Sequence, residues 1–146
     1  MRIVKDSSGR RRRRRGASAV EFAVILPVLM LLVLGAVDFG RFASTYIAVT
    51  NAARAAAAFG AMNPYSTVTQ STWTAQVKQA AFDEMSGYDT SLLSVTTTPT
   101  SEADGLWRVS VVASYPFKTV VSWPGIPTSD GQAMILSRTV VVRAIR

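Results

Sequence analysis

The chain opens with a polar segment that gives way abruptly to an apolar one. Residues 1–16 are polar and end in six consecutive arginines before Gly16, and residues 17–37 hold a single charge, Glu21. At about 1.5 Å per residue, a helix over residues 17–37 spans roughly 32 Å, enough for the hydrocarbon core of a bilayer. The pattern predicts an extended, self-repelling leader at 1–16 and a transmembrane helix at 17–37.

Residues 38–60 continue the helical pattern beyond the apolar segment. They contain no proline and are rich in alanine, the best helix former. Gly60 is expected to end the helix, with Pro64 just beyond it, and Pro27 is expected to kink the helix or open one turn. We therefore predict one helix over residues 17–60, about 65 Å long. Heptad spacing predicts an amphipathic stripe along its second half, which consists of Phe39, Phe42, Tyr46, Val49, Ala53 and Ala56.

Residues 61–146 show the patterns of a small α+β outer domain. A short amphipathic helix is predicted near residues 72–86. Alternating or β-branched segments predict strands at 92–98, 106–115 and 134–145, and a weak strand at 119–122. The fold class is therefore α+β and pilin-like: a long N-terminal transmembrane helix runs into a small antiparallel sheet with a short helix. A domain this small is expected to borrow the helical stripe to complete its core.

The positive charge is confined to the leader. Residues 1–16 hold eight of the sixteen basic residues and one of the nine acidic residues, so the rest of the chain is neutral. Basic residues before the apolar segment predict a cytoplasmic N-terminus and an outer C-terminal domain. The arginine run is explained by orientation and by contact with anionic lipid, so no nucleic-acid partner is expected. A buried core helix fits poorly because the domain is too small to surround it, and a cleaved secretory signal fits poorly because the apolar stretch is too long.

The chain contains neither histidine nor cysteine. A Ser-His-Asp triad, a thiolate metal site and a disulfide framework are therefore excluded. We expect no enzyme, no cofactor and no metal site.

The junction between leader and helix holds the candidate processing site. Glu21 is the fifth residue after Gly16, and a carboxylate at this depth needs a partner. Cleavage between Gly16 and Ala17 would supply the new α-amino group of Ala17. The glutamate of one subunit could also neutralise the amine of the next, which would fix the axial register of an open filament.

A second pattern along the helix involves small residues at every fourth position. Such spacing lets helices approach closely, although the alanine-rich composition explains it as well. The candidate helix-packing positions are Ala36, Gly40, Ser44, Ala48, Ala52 and Ala56.

Taken together, these motifs resemble the TadE-like family, pilin-related subunits of the bacterial tight-adherence (Flp, type IV pilus-like) machinery. The resemblance covers residues 16–60, about a third of the chain. It rests on Gly16, residues 19–23, Pro27, the leucine-rich run, residues 38–41 and residues 51–54.

The resemblance implies a function and a set of partners. A membrane aspartyl prepilin peptidase would cut between Gly16 and Ala17, and Glu21 would be the glutamate needed for processing or assembly. The mature protein would be a minor pilin or pseudopilin. Its expected locations are the bacterial inner membrane and, after incorporation, the extracellular pilus. Its expected partners are other pilin-like subunits, the assembly platform and membrane lipid. The Flp major pilin is much smaller, so a minor role is implied. The alternative is an uncleaved, signal-anchored envelope protein whose outer domain binds a partner in a secretion machinery.

Overall fold

The computed structural model of the protein describes residues 8–63, 65–103, 105–123 and 133–144, with side chains described from residue 16 onward. The chain divides into two units, Met1–Phe39 and Gly40–Arg146. The elements are α1 (Ser8–Met62), α2 (Gln70–Glu84), a 3-10 turn (Thr90–Leu92), β1 (Ser94–Ser101), β2 (Trp107–Phe117) and β3 (Met134–Arg143). The predicted α+β class, with a long apolar helix, a short helix and a three-stranded antiparallel sheet, is confirmed.

Helix α1 is longer at both ends than the predicted segment 17–60. It begins at Ser8, so the arginine run is helical and the prediction of an extended leader is wrong for residues 8–16. Arginine has a helix propensity close to that of leucine, and extending an existing helix is far easier than nucleating one. The helix also continues through Pro27 and passes Gly60 before it ends at Met62.

The first unit presents its apolar side chains to the outside. Described residues 16–33 are all exposed in the isolated chain, and Val24 and Leu32 are exposed by about two thirds. A stretch with this composition and no covering protein is what a lipid-facing helix requires. It belongs to the one helix among the described residues that is long and apolar enough to cross a membrane.

The sheet of the second unit is a simple meander. Its strand order is β1-β2-β3, with both pairs antiparallel. Strand β2 buries every second residue from Val109 to Phe117, as the predicted alternation requires. The weak strand expected at 119–122 is wrong, because residues 120 and 121 form a bend and residues 119 and 122 have no regular secondary structure. The predicted strand 134–145 runs from Met134 to Arg143, and Ile145 lies outside the described residues.

The core of the second unit lies between the two helices and the inner face of the sheet. Helix α2 supplies Trp73, Val77 and Ala81, and β2 supplies Val109, Val111 and Ala113. The contribution of α1 is mostly alanine. Its fully buried side chains are Val49, Ala52, Ala53, Ala56 and Ala57.

The predicted stripe is therefore correct only in its second half. Val49, Ala53 and Ala56 are buried, whereas Phe39 is 72% exposed and Tyr46 is 39% exposed. The buried part of α1 is lined mainly by alanines. Because these side chains are small, α2 and the sheet can pack close to the helix backbone there.

Close packing also explains Gly60. Its backbone lies so near α2 and β2 that an added Cβ atom would sit 3.1 Å from Cζ2 of Trp73 and 3.0 Å from Cγ1 of Val109. The indole nitrogen of Trp73 donates a hydrogen bond to the Asn63 carbonyl oxygen at 3.1 Å, which fixes the chain at the end of α1. Gly60 thus acts as a close-contact position inside the helix, and the prediction that it ends the helix is wrong.

Candidate processing and assembly site

The predicted cleavage point lies inside a helix. Gly16, Ala17 and Glu21 all belong to α1, which runs unbroken from Ser8. Gly16 is exposed, and nothing lies within 4 Å of a Cβ atom added to it. The Gly16–Ala17 bond is therefore accessible from outside, but its cleavage requires local unwinding, because proteases act on extended backbone.

Ala17 and Glu21 lie one helical turn apart. Residues at i and i+4 are neighbours on a helix surface. An amino group created at Ala17 would thus be on the same side of α1 as the Glu21 carboxylate. In the intact chain the nitrogen of Ala17 is an amide and carries no charge, so this pairing would exist only after cleavage.

Glu21 lies in an apolar surrounding on its own helix. It is exposed, and its neighbours Val20 and Phe22 are exposed by 65% and 58%. In a bilayer these neighbours would contact lipid, where an uncompensated carboxylate costs a few kcal/mol, about 2.5–3.5 at the bilayer centre by insertion scales. If the bond after Gly16 were cleaved, the new amine of Ala17 would lie one helical turn from this carboxylate.

The row of small residues divides into two parts. Ala36, Gly40 and Ser44 are exposed, Ala48 is half-buried, and Ala52 and Ala56 are fully buried. The last two pack within the core of their own domain. Only the first half of the row thus remains open to a neighbouring helix, and its use in assembly stays a prediction.

Ser44 has a specific partner within the second unit. Its hydroxyl oxygen lies 2.9 Å from the hydroxyl oxygen of Tyr88, which follows α2. Thr45 and Thr50 instead donate to the carbonyl oxygens of Arg41 and Tyr46, four residues earlier in α1. Such bonds satisfy the hydroxyls within the helix.

Two structural groups were not recognised in the sequence. One is an aromatic cluster in which the Tyr65 ring lies 5.2 Å from that of Trp73 and 4.7 Å from that of Trp107. The other is an ion cluster in which the Glu102 carboxylate pairs with Arg108 and Arg143. The aromatic cluster has no local sequence signal, because it joins the linker after α1, helix α2 and strand β2. In the ion cluster, Arg143 meets Glu102 and Arg108 only through the register of β2 with β3.

Comparison with known proteins locates the resemblance in the same segment. The family model described as TadE-like protein matches residues 16–58, somewhat under a third of the chain. No curated protein and no solved structure matches. The match begins at Gly16, includes Glu21 and the exposed small residues of α1, and extends into the buried wall of the second unit. The chain thus carries a TadE-like segment at residues 16–58, which confirms the family that the junction motif resembles.

Proposed function

We propose that this protein is a minor pilin or pseudopilin that takes part in the assembly of Flp/Tad-type pili. The TadE-like segment indicates a Tad pilus-associated protein. The proposal of a minor-pilin role is supported by the arrangement at the start of this segment. Gly16 is followed by Ala17, Glu21 lies one helical turn after Ala17, and the helix that carries them is apolar and exposed.

The proposed processing step is hydrolysis of the Gly16–Ala17 peptide bond by a prepilin peptidase. Water adds across the bond, so Gly16 keeps a carboxylate on the released leader and Ala17 gains an α-amino group. That amine then lies one turn from Glu21 in the same subunit. A pairing with Glu21 of the next subunit would hold neighbouring helices in a fixed axial register.

The proposed role is structural and not enzymatic. The chain has no histidine and no cysteine. The second unit supplies a folded outer body with its own sheet, and the resemblance implies that the bulk Flp subunit lacks one. A subunit that carries such a body fits an initiating, capping or supporting position better than the repeated shaft.

The proposed location is the bacterial inner membrane with the N-terminus in the cytoplasm. The six arginines at residues 10–15 precede the apolar segment, and basic flanks are retained on the cytoplasmic side. Proposed partners are the prepilin peptidase, other pilin-like subunits, the assembly platform and membrane lipid.

One observation favours the alternative of an uncleaved signal-anchored protein. Helix α1 is continuous across Gly16, so the intact chain offers the peptidase no extended segment at the predicted site. In that case the outer domain would bind a partner in the secretion envelope, and the arginine run would remain as a permanent cytoplasmic flank.

N-terminal sequencing and intact mass of the protein from native membranes, with and without the prepilin peptidase, decide between the two. A new terminus at Ala17 that depends on the peptidase is the expected result. A Met1 terminus in the presence of active peptidase would overturn the pilin role and leave the signal-anchored one.

A further inference from the structure

The second unit contains a solvent-open cavity. Its volume is about 780 Å³, within the range of small-ligand sites. Its walls are formed by residues 40–45 of α1, by the segment that follows α2, and by the end of β2. The side chains that decide its chemistry are Arg41, Ser44, Tyr88, Tyr115, Phe117 and Lys118.

The charge of the cavity has one sign. Among the described residues that line it, the charged side chains are Arg41 and Lys118, and both are cations. The two residues also touch, because Nη1 of Arg41 donates to the Lys118 carbonyl oxygen at 3.4 Å. Two cationic side chains, with no acidic side chain among the described lining residues, favour an anion.

One aromatic ring lies against Arg41, and two others form part of the cavity walls. The guanidinium carbon of Arg41 lies 5.6 Å from the ring centroid of Phe117, a cation–π distance. The rings of Tyr88 and Tyr115 meet edge to face with centroids 6.0 Å apart. The hydroxyl pair of Ser44 and Tyr88 adds neutral hydrogen-bonding groups. The site therefore combines cations, hydroxyls and apolar ring faces.

Phosphate suits this combination better than a carboxylate does. It offers more acceptor oxygens, which a guanidinium fork and an ammonium can share. Sequence position points to the source of the phosphate. Gly40 and Arg41 come three and four residues after Val37, the last residue of the predicted span, where headgroups and amphipathic aromatic side chains are found.

We propose that this cavity binds a phosphate-bearing anion and that the headgroup of an anionic phospholipid is its source. Arg41 and Lys118 contact the phosphate oxygens. Tyr88 contacts the polar part of the headgroup. The site would seat the start of the outer domain on a lipid headgroup.

Calorimetric titration of the full chain in an uncharged maltoside detergent tests this. The probes are dihexanoyl phosphatidylglycerol, dihexanoyl phosphatidylcholine and sodium phosphate. We expect phosphatidylglycerol to bind most tightly, because the choline cation opposes Arg41 and Lys118. Sodium phosphate that binds as tightly as phosphatidylglycerol would keep the anion site but contradict the lipid source.

Variants separate the cavity from the arginine run, which attracts anions in every form of the chain. Lys118→Gln should weaken phosphatidylglycerol binding about tenfold, the usual effect of losing one charge-assisted contact. The matched control is Arg54→Gln, which removes an exposed cation of α1 outside the cavity and should leave the affinity unchanged. Arg41→Gln is a second test, with its melting temperature recorded because Arg41 has further contacts. Unchanged affinity in both cavity variants, or an equal loss in Arg54→Gln, would overturn the proposal.

Discussion

A Cβ atom placed on Gly60 would lie 3.0 Å from Cγ1 of Val109, a distance that few real Cβ contacts reach. The two residues join the last turns of α1 to the middle strand of the sheet, and Val109 is fully buried. The helix can approach the sheet this closely only because residue 60 has no side chain.

Replacing Gly60 with alanine should therefore destabilise the second unit. Val109 and Trp73 are both enclosed, so neither can move aside without disturbing the core. Overpacking of this kind costs about 1–3 kcal/mol. Thermal unfolding of the full chain in detergent, followed by circular dichroism, measures the effect.

The matched control for this variant is Gly40→Ala in the same helix. Nothing lies within 4 Å of an added Cβ there, so helix propensity alone should act and raise stability by up to about 1 kcal/mol. Similar melting temperatures for Gly60→Ala and Gly40→Ala would show that the contact with Val109 is not tight.

Glu21→Val should leave membrane insertion intact and abolish pilus assembly. The substitution makes the apolar segment more hydrophobic, so insertion is retained, but an amine at Ala17 would lose its acceptor. Membrane fractionation and counts of surface pili measure the two properties separately. Glu21→Asp is the control that keeps the charge, and it should retain part of the assembly. Normal piliation in Glu21→Val would show that pairing between Glu21 and the amine of Ala17 does not set the axial register of the subunits.

Enlarging Gly16 should block processing in proportion to side-chain size. Nothing surrounds Gly16 in the fold, so Gly16→Ala and Gly16→Leu leave the helix itself undisturbed. Any loss of cleavage then reports the fit of the substrate in the peptidase. Immunoblots of precursor and mature forms should show reduced cleavage for alanine and none for leucine. Gly40→Leu, at another open glycine of α1, should be cleaved normally, and efficient cleavage of Gly16→Leu would contradict the proposal.

Glu102→Gln should weaken the end of the sheet. Arg108 and Arg143 are paired across β2 and β3, and the Glu102 carboxylate binds both, at 2.9 Å from Nε of Arg143. Without it, two like charges lie opposite each other. Both arginines are more than half exposed, so the loss should be at most about 1 kcal/mol and should shrink in high salt.

Glu84→Gln is the control for that charge effect, since Glu84 is exposed at the end of α2. Its melting temperature should match that of the unmodified chain at every salt concentration. A loss for Glu102→Gln that does not depend on salt would indicate a packing effect in place of the ion cluster.

The sequence pattern predicts the elements well where periodicity is strong. The alternation in residues 106–115 identifies β2 and its buried face, and the apolar block identifies the candidate span. At 92–98 the prediction is offset, because residues 90–92 form a 3-10 turn and β1 continues through Pro99 to Ser101. An edge strand tolerates a proline, since one side of its backbone lacks a ladder partner.

The details of packing could not be read from the same pattern. Large aromatic residues at heptad spacing predict a buried stripe, but the buried wall is built from alanines and Gly60, whose role depends on elements far away in the sequence. Likewise, Glu102 meets Arg143 only through the register of β2 with β3. For the candidate site, the sequence suffices to place Ala17 and Glu21 one turn apart on one helix, because their spacing is local. It does not predict that Gly16 lies in the same helix.

The alanine wall of α1 has a consequence for protein engineering. The TadE-like match ends at residue 58, but Ala52, Ala53, Ala56 and Ala57 belong to the core of the second unit. A fusion boundary drawn where the family resemblance ends would therefore cut through a folding unit. A second unit exchanged at that point would fold only if its sheet and short helix matched the shape of the alanine surface that remains on α1.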